Sequence, residues 1–236
     1  MSESSFRALL IALTEPADSS TPEAFAQWYD TVQIPGFLRI AGTSRVTRYR
    51  TSTLTDADDR PAPQDYAVIY ELTLPDRAAL ADYAERQHEG FLRGEIGRNS
   101  PGGAALNIGT STGAYYELLA ERISASDFVP DAILFVFVGS IEGFSCDAFL
   151  TLTDDDPAIG TVACYRFTPA NAKRMPNPWI VNDAHLVIFG IGTPDLAGVQ
   201  ARLRERLAEM GPPMRVQLYD RATEPVSTVT AVHSAS

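Results

Sequence analysis

No apolar run in this 236-residue chain approaches the roughly 18–20 residues a membrane-crossing helix needs. The start, MSESSFRALLIALTEP, lacks the basic opening, long apolar core and small-residue cleavage site of a leader peptide. A cytoplasmic location is therefore expected. Cysteine occurs twice, at Cys146 and Cys164, with no CxxC spacing and with apolar neighbours. This pattern predicts buried free thiols rather than a disulfide, and it lacks structural-zinc spacing. Basic residues are few: 19 Lys and Arg against 30 Asp and Glu leave a net charge of −11. A phosphate backbone would be repelled, and the cluster of Arg45, Arg48 and Arg50 is split by strand alternation onto opposite faces. No nucleic-acid partner is expected. Nucleotide-cradling glycine motifs, a GxSxG elbow and metal-ligand spacings of His, Glu and Asp are all missing. Neither a metal nor a cofactor is expected.

Periodicity organises what is present. A strand is predicted at 6–13, then a helix opening at Pro22 behind Thr21 as N-cap. Phe25, Trp28, Tyr29 and Val32 form its apolar stripe, and Pro35-Gly36 should end it. Strands at 44–51 and 65–73 follow, then a helix near Asp76 with Leu80, Tyr83, Ala84 and Gln87 on one face. A glycine-rich loop leads to a strand at 114–121. The order β-α-β-β-α-β then recurs. It comprises a strand at 132–139, a short helix from Ser145 with Phe144 and Phe149 as a hydrophobic staple, and strands at 161–168 and 184–192. A helix at 194–210 capped by Thr193 and a strand at 215–221 complete it. Tyr49-Arg50 after Gly42 matches Tyr165-Arg166 after Gly160, as a tandem duplication would leave them.

The expected fold class is α+β, with ferredoxin-like repeats over 1–124 and 125–224 and a flexible tail at 225–236. AILFVFVG and YAVIYEL are hydrophobic at nearly every position, so each sheet needs cover on both faces. Helices would cover one face. The other repeat's sheet, packed against it to make an intramolecular α+β barrel, would cover the second. A cavity can then form between each sheet and its helices.

The segment FAQWYDTVQIPGFLRIAGTSRVTRYR resembles the first helix and second strand of the dimeric α+β barrel superfamily, and within it the EthD-like proteins. The resemblance covers about 1–120 and is only topological over 130–222. Those relatives carry His-x-Pro where this chain has Gln33-Ile34-Pro35, and Gln cannot shuttle a proton near neutral pH. DYAERQHEGF is similar to a stretch of the plant polyketide cyclases of the same superfamily, with spacing one residue shorter. That resemblance implies acid/base roles for Tyr83 and His88.

Candidate catalytic residues are therefore His88, Tyr83, His185 and Tyr29, and candidate substrate-binding residues are Trp28, Arg48, Tyr49, Asp30 and Trp179. Each has a plainer reading. His88 fits a solvent-facing helix end, and His185 a core imidazole hydrogen-bonded to Asp183 or the backbone. Tyr29 and Trp28 fit core packing, and Asp30 fits a surface partner for Arg48 or Arg50. Tyr49 fits a structural sheet residue, and Trp179 loop packing. Glu71, inside a doubly covered strand, needs an arginine partner or a raised pKa. The function expected is cofactor-independent acid/base chemistry of lyase, isomerase, cyclase or dehydratase type on a small apolar or aromatic metabolite. Alternatives of the same fold are a monooxygenase, either cofactor-free or with haem on His88 or His185, and a non-catalytic binding protein. The partner is a small molecule, and the chain is a monomer or homodimer.

Overall fold

The structure, a computed structural model, describes residues 5–54, 64–124, 128–139, 144–168, 184–210 and 214–227. Its elements run β1 (Phe6–Thr14), α1 (Pro22–Trp28), a π-helical turn (Tyr29–Gln33), α2 (Ile34–Leu38), β2 (Thr43–Thr51) and β3 (Tyr66–Leu74). They continue with α3 (Ala79–Leu92), β4 (Thr112–Ile123), β5 (Ala132–Val138), α4 (Cys146–Thr151) and β6 (Ile159–Thr168). The last are β7 (His185–Ile191), α5 (Leu196–Glu209), β8 (Arg215–Arg221) and β9 (Val226–Ser227). Among the described residues no helix is long and apolar enough to cross a membrane.

The strands form one antiparallel sheet in the order β3-β1-β4-β6-β7-β5-β8-β2, and β2 pairs again with β3, closing an eight-stranded barrel. Here the outcome differs from two separate sheets laid face to face. The edges join through hydrogen bonds, β4 to β6 along Tyr115↔Thr168 to Ile123↔Thr161 and β2 to β8 at Tyr49↔Arg221 to Thr51↔Tyr219. An open edge leaves backbone N–H and C=O groups unpaired, and closure satisfies them. The expected loose tail also contributes, since Val226 and Ser227 pair with Val46 and Arg45 of β2.

Alternation divides each strand between two cores. Leu9, Ile11, Leu13, Ile69, Ile133, Phe135, Phe137 and Ile188 fill the barrel interior. Leu10, Val68, Tyr70 and Leu72 face outward beneath α1, α2 and α3. Leu134, Val136, Val187 and Phe189 face outward beneath α4 and α5. This is why AILFVFVG shows no polar alternation: both of its faces are covered. Glu71 meets Arg45 on the adjacent β2 at 2.6 Å, which answers the need for a partner. Cys146 and Cys164 are free thiols, and burial is the main cause pushing both up in pKa.

Pro35-Gly36 does not end the first helix. Thr21 caps α1 as expected, its hydroxyl accepting from the Ala24 N–H. The chain then widens into the π turn, with the Ile34 N–H bonding the Tyr29 carbonyl, and winds on through Leu38. Pro35 sits in the first turn of α2, where a missing N–H costs little. Gly36 serves close packing instead: a Cβ there would strike the Ile96 side chain and come within 3.0 Å of the Glu95 carbonyl oxygen.

Candidate functional site

A cavity of about 560 Å³ lies between the outer face of β1, β3 and β4 and the helices of the first half. The π turn and α2 bring Tyr29, Gln33 and Phe37 to its wall, each four residues after the last. β1 supplies Leu10, Ala12 and Thr14, β3 supplies Tyr70, and α3 supplies Gln87 and Phe91. The loops before β4 add Gly97, Arg98, Asn99, Leu106, Ile108 and Ser111, and Thr112 and Gly113 open the strand itself. Single-turn π insertions occur often at functional sites because the extra residue re-aims the side chains that follow.

The wall is apolar with a few neutral polar groups. The Tyr29 hydroxyl donates to Thr14 Oγ1 at 3.3 Å. Burial pushes the phenol up to about 12, partly offset by that bond and by Arg48, whose guanidinium carbon lies 5.5 Å from the ring centre. The Tyr70 ring lies 4.1 Å, centre to centre, from that of Phe37. Its hydroxyl is buried beside Tyr29 and Gln33, and burial raises its pKa well above the ordinary value. Yet among the described residues neither the Tyr70 hydroxyl, which has Tyr29 and Gln33 as polar neighbours, nor Thr112 Oγ1 makes a hydrogen bond of ordinary geometry. A buried hydroxyl without a partner costs about 1–3 kcal/mol, so two on one cavity wall invite an acceptor from a ligand.

The amides divide their two ends. Gln87 Oε1 accepts from the Tyr115 hydroxyl. Gln33 Oε1 accepts from the Gly97 N–H at 2.7 Å. Each keeps an NH2 group, a pure donor, and Gln33 lies against the Tyr70 hydroxyl. Gly97 is gripped from its other side too: its carbonyl accepts from Ser100 Oγ at 2.6 Å, and that oxygen accepts from the Trp28 indole N–H at 3.0 Å. Gly97 has φ +71°, a conformation that suits glycine, and a Cβ would collide with the Phe91 ring.

Of the candidate site residues that are described, only Tyr29 lines this cavity. Tyr83 is buried one helical turn away, bonded to the Thr43 hydroxyl at 2.8 Å. His88 is half-buried, and its neighbour Gln87 takes the wall position. Trp28 buttresses the loop behind the wall. Arg48 is buried behind Tyr29, 3.4 Å from Asp30 and 3.2 Å from the Ala26 carbonyl. Tyr49 faces the barrel interior, where it and Tyr165 line a smaller space of about 150 Å³. His185 lies in the other half, its ring stacked on Phe144 at 3.8 Å. Its Nδ1 is buried without a partner among the described residues, which do not include Asp183, and burial followed by Arg166 lowers its pKa. Trp179 and Asp183 lie outside the described residues.

Gln33, Tyr70, Thr112 and Gln87 were not singled out as site residues. Gln33 carried a signal as the departure from His-x-Pro. Tyr70 carried only strand alternation, which tells the face and not whether that face is filled. The described wall offers a haem iron no imidazole or thiolate, so the residues do not fit the haem alternative. No group of three His, Cys, Asp or Glu among the described residues could hold a metal ion.

No protein-family profile and no curated sequence matches the chain. Solved structures do match in fold. An anthrone oxidase-like protein superposes with a TM-score of 0.55 at 12% identity, over 96% of this chain and 94% of that one. A candidate monooxygenase from Lactobacillus acidophilus NCFM gives 0.52 at 10% identity, covering 94% of this chain and 97% of that one. Another, from Fusobacterium nucleatum subsp. nucleatum, gives 0.55 at 8% identity over 94% of each chain. At such identities the likeness is one of architecture: the chain has an α+β barrel fold related to that of these monooxygenase-like proteins.

Proposed function

We propose that the cavity binds a flat, largely apolar aromatic molecule bearing carbonyl or phenolic oxygens and promotes its cofactor-free oxidation by dioxygen. The observation that carries this reading is the buried hydroxyl of Tyr70, without a hydrogen bond of ordinary geometry and with Tyr29 and Gln33 as polar neighbours, at the wall of a 560 Å³ apolar space. That volume falls in the usual range for small-molecule sites, roughly 300–1,000 Å³. Tyr70, kept protonated by burial, acts as a hydrogen-bond donor at neutral pH, while the O–H of Tyr29 beside it is engaged by Thr14. With the Gln33 and Gln87 amides Tyr70 would stabilise the oxyanion of an enolate or phenolate in a site poor in water. For a fused-ring ketone with an acidic CH2 group, that group loses a proton to water and the resulting carbanion reduces dioxygen. One oxygen atom ends in a new carbonyl and the other leaves as water. The names of the structural neighbours agree with oxygen chemistry and carry no more weight than that.

The reading extends to the frame. The strand orders β4-β1-β3-β2 and β8-β5-β7-β6 have the same plan by rank, which supports ferredoxin-like repeats over 1–124 and 125–224 derived by duplication. A second reading, binding without turnover, is favoured by one observation: no carboxylate or imidazole lines the described wall, so no general base stands ready. Dioxygen uptake with anthrone as probe, beside fluorescence-detected binding, separates the two. Uptake that falls about a hundredfold in Tyr70→Phe, with the fold intact, supports oxidation. Saturable binding without uptake leaves the binding role, and no binding at all overturns both.

A further inference from the structure

The described wall of the cavity has a single charged side chain, and it stands at the rim: Arg98, exposed to solvent, beside Asn99 and the 53%-exposed Ile108. Resting on the ligand class proposed above, we infer that Arg98 is a specificity residue selecting aromatic ligands with an anionic substituent, a carboxylate or its equivalent, at the end opposite their ring oxygens.

Three observations carry this. First, polarity is graded along the cavity. The buried wall holds neutral donors, Gln33, Tyr70 and Gln87, suited to neutral oxygens, whereas the solvent end holds a permanent cation. Second, among the described residues no carboxylate lies within ion-pair distance of Arg98, although Arg45, Arg77, Arg93, Arg166 and Arg206 each meet one. In a chain of net charge −11, a guanidinium with no carboxylate among the described residues is a local attractor in a repelling field. Third, its backbone is held. The preceding Gly97 is bonded by Gln33 at its N–H and by Ser100 at its carbonyl, and Ser100 is tied in turn to Trp28. The side chain therefore projects from a braced loop rather than a free one. A guanidinium can grip a carboxylate with two parallel hydrogen bonds, which fixes the ligand's direction as well as its affinity.

The test uses two probes of one shape, anthraquinone-2-carboxylate and its neutral carboxamide, titrated at low salt into wild type, Arg98→Met and Arg98→Lys. Wild type is expected to bind the carboxylate about tenfold tighter than the amide, a preference that shrinks as salt rises. Arg98→Met should abolish the preference while moving amide affinity by less than about twofold, and Arg98→Lys should keep part of it. Equal binding of both probes by wild type, or equal weakening of both by Arg98→Met, overturns the role of Arg98 and leaves the cavity reading standing. Failure of both probes to bind overturns the cavity reading, and this inference with it.

Discussion

Over the outer face of β5 and β7, Phe149, Val199, Leu203 and Leu207 pack into one buried cluster among the described residues. Over the outer face of β1 and β3 the corresponding space holds a 560 Å³ cavity with buried hydroxyls on its wall. The two halves share a strand plan, and α3 and α5 are each 14 residues long. The difference lies in what the helices present. The buried stripe of α5 ends in Leu203 and Leu207, whereas that of α3 ends in Gln87 and Gly90. The helix before β2 also widens into a π turn that carries Tyr29 and Gln33 to the wall. α4, six residues long, instead uses Phe149 against Phe144 as filler. Among the described residues, one scaffold thus supplies a packed wall on one side and a hollow one on the other.

The largest expected effect tests that contrast directly. Leu203→Ala in the filled half should cost about 2–5 kcal/mol by opening a void. Ala12→Leu in the hollow half should change stability by less than about 1 kcal/mol, because room exists, while ligand binding disappears. Thermal unfolding beside a binding titration reads both, and equal destabilisation would remove the distinction between the halves. Next comes Gly36→Ala, expected to cost about 1–3 kcal/mol through overpacking against Ile96, or on the order of 2–4 °C in Tm per kcal/mol. An unchanged Tm would mean the loop can withdraw.

Gln33→Leu leaves the Gly97 N–H without its acceptor and should lower stability by about 1–3 kcal/mol. It should also weaken ligand binding, whereas Gln200→Leu on α5 should leave binding untouched. The smallest effect concerns His185, whose folded pKa lies below its ordinary 6.5. Above that value both states are neutral and the group contributes no pH dependence. As pH falls through it, the unfolded chain takes up the proton first and stability declines until the folded pKa is passed. Melting between pH 7.5 and 5 should therefore fall less steeply for His185→Phe than for wild type.

Much of this frame was legible from periodicity. Leu80, Tyr83, Ala84 and Gln87 are all buried on one face of α3, as their spacing requires. The β8 strand occupies 215–221 as its pattern predicts. Pro35-Gly36 misled because a proline at the first turn after a π insertion loses no hydrogen bond, which composition alone cannot reveal. The site was less legible. Alternation places Tyr70 on the outer face of β3 but is silent on whether a helix side chain reaches it. Resemblance to the cyclases pointed to Tyr83 and His88, while the wall takes Gln87 between them. A void is a shortage of atoms summed over several elements, and no single stretch of sequence records it.

The seams β2–β8 and β4–β6 join strands of one polypeptide. Unlike a barrel assembled from two identical subunits, this one cannot be taken apart by dilution, and each substitution falls on one side only. A residue harmful to a pocket can therefore be accepted as filler across the ring, so architecture and chemistry can be selected separately.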